Sequence, residues 1–428
     1  MVERGVDLEA WERGLRVAVL AAGAKLLEEM LAGIGTGRRS DPVVCDCGTK
    51  MGSVGLRPKA LLTILGPVAL NRSWFICPRC GEGCAVADKA LDVSRTSFSP
   101  GLRRLMARAG SRETFKNGCE DLREYAGITV TAKDVERISE RTGEEVAKWQ
   151  EQEREKIRTG FSPPVSAQGP SIPLLYISYD GTGVPMVPWE VAGRKGKQED
   201  GLAKTREAKL GCVFTQTGVT EDGFPIREEG STTYVGAIET SDAFGWRIYA
   251  EAHRRGLSLA TKVVILADGA RYNWEIAGMH FPKAIWIIDL YHARQHLHDL
   301  CEHLTPEGGS ERVRLETRWR TLLDEGRVER ILQEAQEHRS GGKDSAEAAR
   351  KEMGYFNNNK ERMRYADFRK QGLFVGSGVI EAGCKTLIGM RLKQSGMEWT
   401  VRGANAIIAL RCGYLSNRIE EFWEQRTA

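Results

Sequence analysis

Asp180 and Asp268 each close a run of apolar residues, and each is followed by glycine. Glu381 is the lone acid in an otherwise uncharged stretch of small and apolar residues that opens at Gly376. In an open sheet the carboxyl ends of strands face the crevice where ligands bind, so an aspartate held there by a stiff strand is preorganised. Two such aspartates and a glutamate offer the oxygen ligands that hard cations prefer, enough for two Mg²⁺ or Mn²⁺ ions. A metal pair about 4 Å apart stabilises both the attacking and the leaving oxygen of an in-line displacement at phosphorus. Lys385, Arg391 and Lys393 follow Glu381, Lys385 on the same helical face, and these basic residues suit a site where metal ions and phosphates meet. Blander readings stand beside this one: a packed helix with a surface ion pair at Glu381, an N-cap turn at Asp268, a hairpin turn at Asp180.

The elements that position these acids can be read from the pattern. Ser377 is a plausible N-cap for a helix running to about Met390. Residues 174–179, 211–217 and 233–240 read as strands, 244–255 as a helix, 262–267 as a buried-type strand, 273–279 as a helix and 284–288 as a fifth strand that ends in Asp289. That order predicts an α/β fold, a mixed sheet of ribonuclease H type. Residues 293–370 are helical and polar, with Trp319 the conspicuous aromatic, and look like an all-α insertion into the sheet domain. Within them Lys360, Arg362, Arg364 and Arg369 interleave with Tyr365 and Phe368, which favours backbone contact and base stacking on a nucleic acid, or equally a solvated helix face. Residues 401–418 form an apolar helix with core character.

Ten cysteines in 428 residues are too sparse for a disulfide scaffold, yet five fall between Cys45 and Cys84. Cys45 and Cys47 form one close pair, Cys77 and Cys80 another, with a hairpin-length stretch between them: the pattern of a zinc ribbon in a reducing cytosol. The second pair has the usual two-residue spacing. The first is one residue short, which leaves open whether both its thiols ligate or Cys84 replaces one. Four thiolates leave no open position, so such a zinc is structural.

Residues 7–33 carry apolar side chains near a 3.6 period, as expected for a helix packed on its own protein, a partner helix being the alternative. Helices over 100–109 and 113–125, a turn at 126–130 and a helix opened by Thr131 and Asp134 follow helix-turn-helix grammar. Lys133, Arg137 and Arg141 stand four apart on one face of the third helix, where a recognition helix meets DNA, though a plain packing module has the same outline. A charged helix over 143–158 leads to a Pro/Ser linker at 162–166, taken as the main boundary. The divisions are thus a helical segment (1–36), a zinc-ribbon-like domain (37–92), a helix-turn-helix domain (93–160), a catalytic domain in two parts (171–302 and 371–428) and its helical insertion (303–370).

The net charge of +4 does not itself argue for nucleic acid. The sequence opens with no secretory signal pattern and holds no apolar run of membrane-spanning length, so a cytoplasmic protein is expected.

Several long phrases carry a resemblance: SYDGTGVPM, TREAKLG, STTYVG, LADGA, IIDLYHARQHL, YFNNNKERMRYADFR, GLFVGSGVIEAGCK and RLKQSGMEWTVRGANAI. Through them nearly the whole chain resembles bacterial insertion-sequence transposases of the DDE class, the ISKra-type group. The resemblance implies that Asp180, Asp268 and Glu381 are the DDE triad, and the insertion between Asp268 and Glu381 fits it. Asp289 and His292 resemble the C/D-x-x-H motif of Mutator-like and hAT-like transposases, in which the histidine lies near the scissile phosphate; a structural histidine is the alternative. Arg318 and Trp319 match the Arg-Trp pair of those insertions. The implied reaction is cleavage at element ends followed by attack of a 3′-hydroxyl on target DNA, by a homodimer or higher assembly that binds terminal inverted repeats. A domesticated DNA-binding regulator without catalysis, and a ribonuclease H-type nuclease without strand transfer, are the rival classes.

Overall fold

The computed structural model describes residues 7–160, 171–196, 201–305, 309–338 and 343–427. The linker expected at 162–166 lies outside them. The chain divides into two compact units, Met1–Thr142 and Gly143–Ala428.

In the first unit, α1 (Leu8–Ile34) starts where Asp7 Oδ1 accepts the Ala10 N–H at 3.0 Å. Strands β1 (Gly52–Thr63) and β2 (Gly66–Ile76) form an antiparallel hairpin, and the short β3 (Gly83–Cys84) pairs with β2 ahead of α2 (Val86–Ala90). Leu61, Val68 and Leu70 of the hairpin bury against Ala24 of α1, with Leu27 and Leu31 packed alongside. Only the second half of α1 packs as expected. Leu8, Trp11, Leu15 and Val19 are each more than 60% exposed, the first half of that helix being held through polar contacts of Arg13 with Glu124 and of Arg16 with the Tyr125 carbonyl.

Three helices follow: α3 (Pro100–Arg112), α4 (Phe115–Ala126) and α5 (Ala132–Arg158). Their apolar faces meet in a core of Leu102, Met106, Leu122, Val135 and Ile138. Gly127, at φ +69, ends α4 in the left-handed conformation that glycine adopts without penalty. The Thr131 hydroxyl accepts the Asp134 N–H at 3.1 Å while Asp134 Oδ2 accepts the Thr131 N–H at 3.3 Å, a reciprocal cap that starts α5. The third helix and the charged helix expected after it are one 27-residue helix, and the division between units falls inside it rather than at the linker.

Gly143 does not break α5, because it serves as a contact. A Cβ there would lie 2.2 Å from the Ala406 carbonyl oxygen, so two helix backbones cross at a distance only glycine permits. Gly143→Ala is accordingly expected to destabilise the second unit by about 1–3 kcal/mol, the range for overpacking, read as a lower thermal transition of the full chain.

The second unit is built on a mixed sheet. Its strands are β4 (Ile172–Pro185), β5 (Thr205–Val219), β6 (Pro225–Arg227), β7 (Thr233–Ala237), β8 (Ala260–Ala267) and β9 (Ile285–Ile288). The spatial order is β6-β5-β4-β8-β9, with β7 also paired to β5. β4, β5 and β7 are antiparallel neighbours, whereas β8 and β9 run parallel to β4. Val264, Ile265, Leu266 and Ala267 are all buried, as a central parallel strand covered on both faces requires.

Helix α6 (Pro188–Val191) follows β4; α7 (Ser241–Arg254) and α8 (Arg271–His280) lie on one face of the sheet. There Tyr179 packs edge-on to Phe244 and donates its hydroxyl to the Asn273 carbonyl at 2.7 Å. Side chains alternate along β4, so Tyr176, Ser178 and Asp180 point to the opposite face. Next come α9 (Leu290–Leu304), α10 (Gly309–Asp324), α11 (Val328–Glu337), α12 (Lys343–Asn359) and α13 (Tyr365–Lys370), the helical segment expected between the last strand and Glu381. Trp319 is fully buried at its centre and donates to Glu334 Oε2 at 2.9 Å. Arg318 donates to the same carboxylate at 2.6 Å and holds it down to about 2.

The chain returns to the sheet through α14 (Gly378–Gly383), a π-helical turn at Cys384–Gly389 and α15 (Met390–Leu392), and ends in α16 (Val401–Leu415) and α17 (Ile419–Thr427). A Cβ on Gly383 would lie 2.7 Å from the Tyr234 ring of β7, so α14 sits tightly on the sheet face toward which Asp180 points.

Candidate active site and cysteine cluster

β4 and β8 pair in parallel with Tyr179 opposite Ala267, which places Asp180 and Asp268 one step further on, side by side. Asp180 is not in a hairpin turn, because β4 continues through it and Asp180 pairs with Leu210 of β5. Its Oδ1 accepts the Gly181 N–H at 2.7 Å. Burial pushes the Asp180 carboxyl above its ordinary value; the Gly181 hydrogen bond opposes this, the Asp268 charge adds to it, and Cys384 and His292 pull it back. Asp268 does use one oxygen as a local cap, Oδ1 accepting from the Ala270 N–H at 2.9 Å and from the Asn273 side chain.

Glu381 is exposed in the first turn of α14, where its Oε1 accepts the Ser377 hydroxyl at 2.8 Å. The Ser377 N–H donates in turn to Asp289 Oδ2. Asp289, 1% exposed at the end of β9, also caps α9 by accepting the His292 N–H at 2.7 Å. Asp289 therefore ties the Glu381 helix to the strand next to β8 and orients the turn that carries the exposed His292. Cys384, one turn beyond Glu381, hydrogen-bonds Asp180, and burial pushes its thiol up. Lys393 donates to the Thr182 hydroxyl, two residues from Asp180.

Other basic residues are placed differently from expectation. Arg391 is fully buried, its guanidinium 5.1 Å from the Trp399 ring centre, so it faces the core rather than a phosphate. Arg362 lies over the Trp274 ring at 4.4 Å, and Arg364 is bound by Glu329 and Glu361. Tyr365 and Phe368 are buried and offer no stacking platform, because both face the interior of the helical segment. Lys385 is exposed one turn beyond Glu381. In the first unit Lys133, Arg137 and Arg141 are exposed on α5; Lys133 contacts Glu136 at 2.6 Å and Arg137 contacts Asp134 at 2.9 Å.

Glu207 was missed from sequence. A Cβ on Gly181 would sit 2.2 Å from Glu207 Oε1, so the glycine after Asp180 makes room for another acid beside it. Lys209 Nζ holds Glu207 Oε2 at 2.6 Å and lies over the Tyr272 ring. The signal was the acid two residues before the lysine in TREAKLG, on a strand whose pairing partner was not legible.

The Sγ atoms of Cys45, Cys47, Cys77 and Cys80 all lie within 4.8 Å of one another. Cys45–Cys80 and Cys47–Cys77 are each separated by 3.5 Å. The four thiols can hold a metal ion such as zinc, and the short first pair supplies both its sulfurs. Cys84 is not a substitute, since its thiol points to Met51 Sδ at 3.6 Å. Gly48 and Gly81, at φ +80 and +74, let the chain curl after each pair, with the Gly48 N–H donating to the Cys45 carbonyl at 2.8 Å and the Gly81 N–H to that of Cys77 at 3.0 Å. Hydrogen bonds from the Thr49 side chain, then its backbone, lower the Cys47 thiol to about 6, toward the thiolate a metal requires.

No known family profile matches the sequence, and no curated protein does. Among solved structures, the Drosophila P element transposase strand transfer complex aligns with 80% of this chain and 84% of its own at 9% identity, with a TM-score of 0.25. A likeness that slight carries no argument. No helix among the described residues is long and apolar enough to cross a membrane.

The raised Asp180 carboxyl has a measurable consequence. The native state binds this proton more tightly than the unfolded chain does, so the group's contribution to stability is full below the unfolded value and is lost as pH rises through the raised one. In EDTA at pH 7, Asp180→Asn is expected to raise the melting temperature, by about 2–4 °C for each kcal/mol relieved. Below the unfolded value the gain vanishes. Calorimetry at the two pH values checks both.

Proposed function

We propose that the chain is a DNA transposase that binds insertion-sequence ends, cleaves DNA strands and joins 3′-hydroxyl ends to target DNA. The observation that carries this reading is the pair Asp180 and Asp268, side by side where β8 ends against the parallel β4, with the Glu381 helix tied in through Ser377 and Asp289. The sheet order, three antiparallel strands followed by two parallel ones, supports a ribonuclease H-like catalytic domain. The resemblance of several phrases to DDE insertion-sequence transposases points the same way.

The donor set suits hard cations, being all carboxylate, with Asp180 raised chiefly by burial and further by the Asp268 charge beside it. Asp180, Asp268 and Glu381 would hold two Mg²⁺ or Mn²⁺ ions, which when bound supply Lewis-acid stabilisation of the attacking and leaving oxygens. His292 donates a hydrogen bond to phosphate or moves a proton there. Lys385 and Lys393 neutralise the DNA backbone. The cysteine cluster would be a zinc ribbon, and the three-helix segment a helix-turn-helix that reads terminal inverted repeats through Lys133, Arg137 and Arg141. Two DNA ends must be paired, so a homodimer or higher assembly is expected.

The test is a strand-transfer assay: purified protein, Mg²⁺ or Mn²⁺, DNA from both flanks of its own gene and a supercoiled target plasmid. Joined products support the reading. Cut ends without joining would make the protein a nuclease, and binding without cutting under either metal a regulator.

A further inference from the structure

The glycine after Asp268 is as crowded as the one after Asp180. A Cβ on Gly269 would lie 2.0 Å from Cε2 of Tyr355 and 2.9 Å from its hydroxyl. Tyr355 belongs to α12, a helix of the insertion, far from the sheet in sequence. Its ring is held on two sides, stacked on His296 at 3.8 Å and edge-on to the buried Phe356 at 5.5 Å. His296 is itself fixed, with Nδ1 2.7 Å from Glu352 Oε2, and its ring meets that of His292 at 4.9 Å. A rigid aromatic thus reaches over the backbone beside the carboxylate pair.

The Tyr355 hydroxyl is buried and has no hydrogen-bond partner among the described residues. Leaving a buried hydroxyl unsatisfied is costly, and a ligand oxygen or an ordered water would satisfy it. Burial and the neighbouring charges of Asp268, Asp289 and Glu352 push its pKa up, so it remains a donor at any physiological pH. The carboxylates around it would repel a free oxyanion, so the hydroxyl suits an anionic oxygen that enters together with the cations those carboxylates bind. Resting on the proposed function, we infer that Tyr355 is a catalytic residue contributed by the insertion, its hydroxyl donating a hydrogen bond to a non-bridging oxygen of the scissile phosphate. The insertion then completes the active site as well as extending the fold. Gly269 is required because any side chain there displaces the ring.

The test uses full-length wild type, Tyr355→Phe and Gly269→Ala, loaded with Mn²⁺ and titrated with inorganic phosphate, metal and phosphate binding being followed by water-proton relaxation. Both variants are expected to keep Mn²⁺ affinity and melting temperature within twofold and a few degrees, while phosphate affinity falls about tenfold, the scale of a hydrogen bond to a charged group. Unchanged phosphate affinity in Tyr355→Phe would overturn the assignment. So would loss of Mn²⁺ binding, which would make the tyrosine structural, or absence of phosphate binding in all three proteins. DNA cleavage measured in parallel separates the two claims. A wild type that cuts DNA while Tyr355→Phe binds phosphate normally removes only the tyrosine. A wild type that binds phosphate through Tyr355 yet cuts no flank DNA removes only the transposase reading.

Discussion

Asp268→Asn is expected to abolish DNA cleavage, a loss of about 10²–10³-fold or more, while folding and DNA binding persist. The reason lies in what Asp268 already does. Its Oδ1 accepts from the Ala270 N–H and from Asn273, and an amide oxygen accepts the same two bonds, so the turn into α8 survives the substitution. What disappears is the negative charge beside Asp180, and with it a ligand for a hard cation. Cleavage of flank DNA under Mg²⁺ and under Mn²⁺, set beside a melting curve and a binding isotherm, reads all three properties. Retained cleavage would remove Asp268 from the site.

The second large effect is expected in the first unit. The four-sulfur cluster approaches the geometry of a zinc tetrahedron, in which Zn–S bonds of about 2.3 Å set the sulfurs roughly 3.8 Å apart. The apparent binding energy of structural zinc, about 10–16 kcal/mol, is largely folding energy. Cys77→Ser is therefore expected to lose zinc and to unfold the β1–β2 hairpin region, whereas Cys84→Ser keeps one zinc per chain. Metal content by elemental analysis and strand content by circular dichroism report the outcome. Zinc lost from Cys84→Ser, or kept in Cys77→Ser, would contradict the assignment.

Much of this was legible because burial leaves a pattern. A run such as residues 262–267 has no polar face, so it must be a covered strand, and the acid that follows it must sit at that strand's end. The order of strands and helices then placed the two aspartates together. Arg391 was misread because a positive charge shows chemistry but not direction; its burial against Trp399 depends on how α15 meets the sheet. The interleaved Tyr365 and Phe368 were misread likewise, since their spacing fits a core face as well as a stacking platform. The continuity of α5 was not legible, the third helix and the charged helix from 143 reading as separate elements, whereas Gly143 stays helical with the Ala406 backbone packed against it. The three-residue cysteine pair could be resolved only by the turn at Gly48, and Glu207 only by strand register.

The π-helical turn at Cys384–Gly389 acts as a phase adjustment. An α-helix advances about 100° per residue, whereas a π turn holds an extra residue in the same rotation. Glu381 lies before that turn and Arg391 after it, so one residue of chain length sets which way each faces. Shortening the segment by one residue, with every functional side chain retained, would turn Glu381 and the buried Arg391 by about 100° relative to one another. Spacing between Glu381 and Arg391 is therefore a tighter constraint on working variants of this chain than the identity of the residues between them.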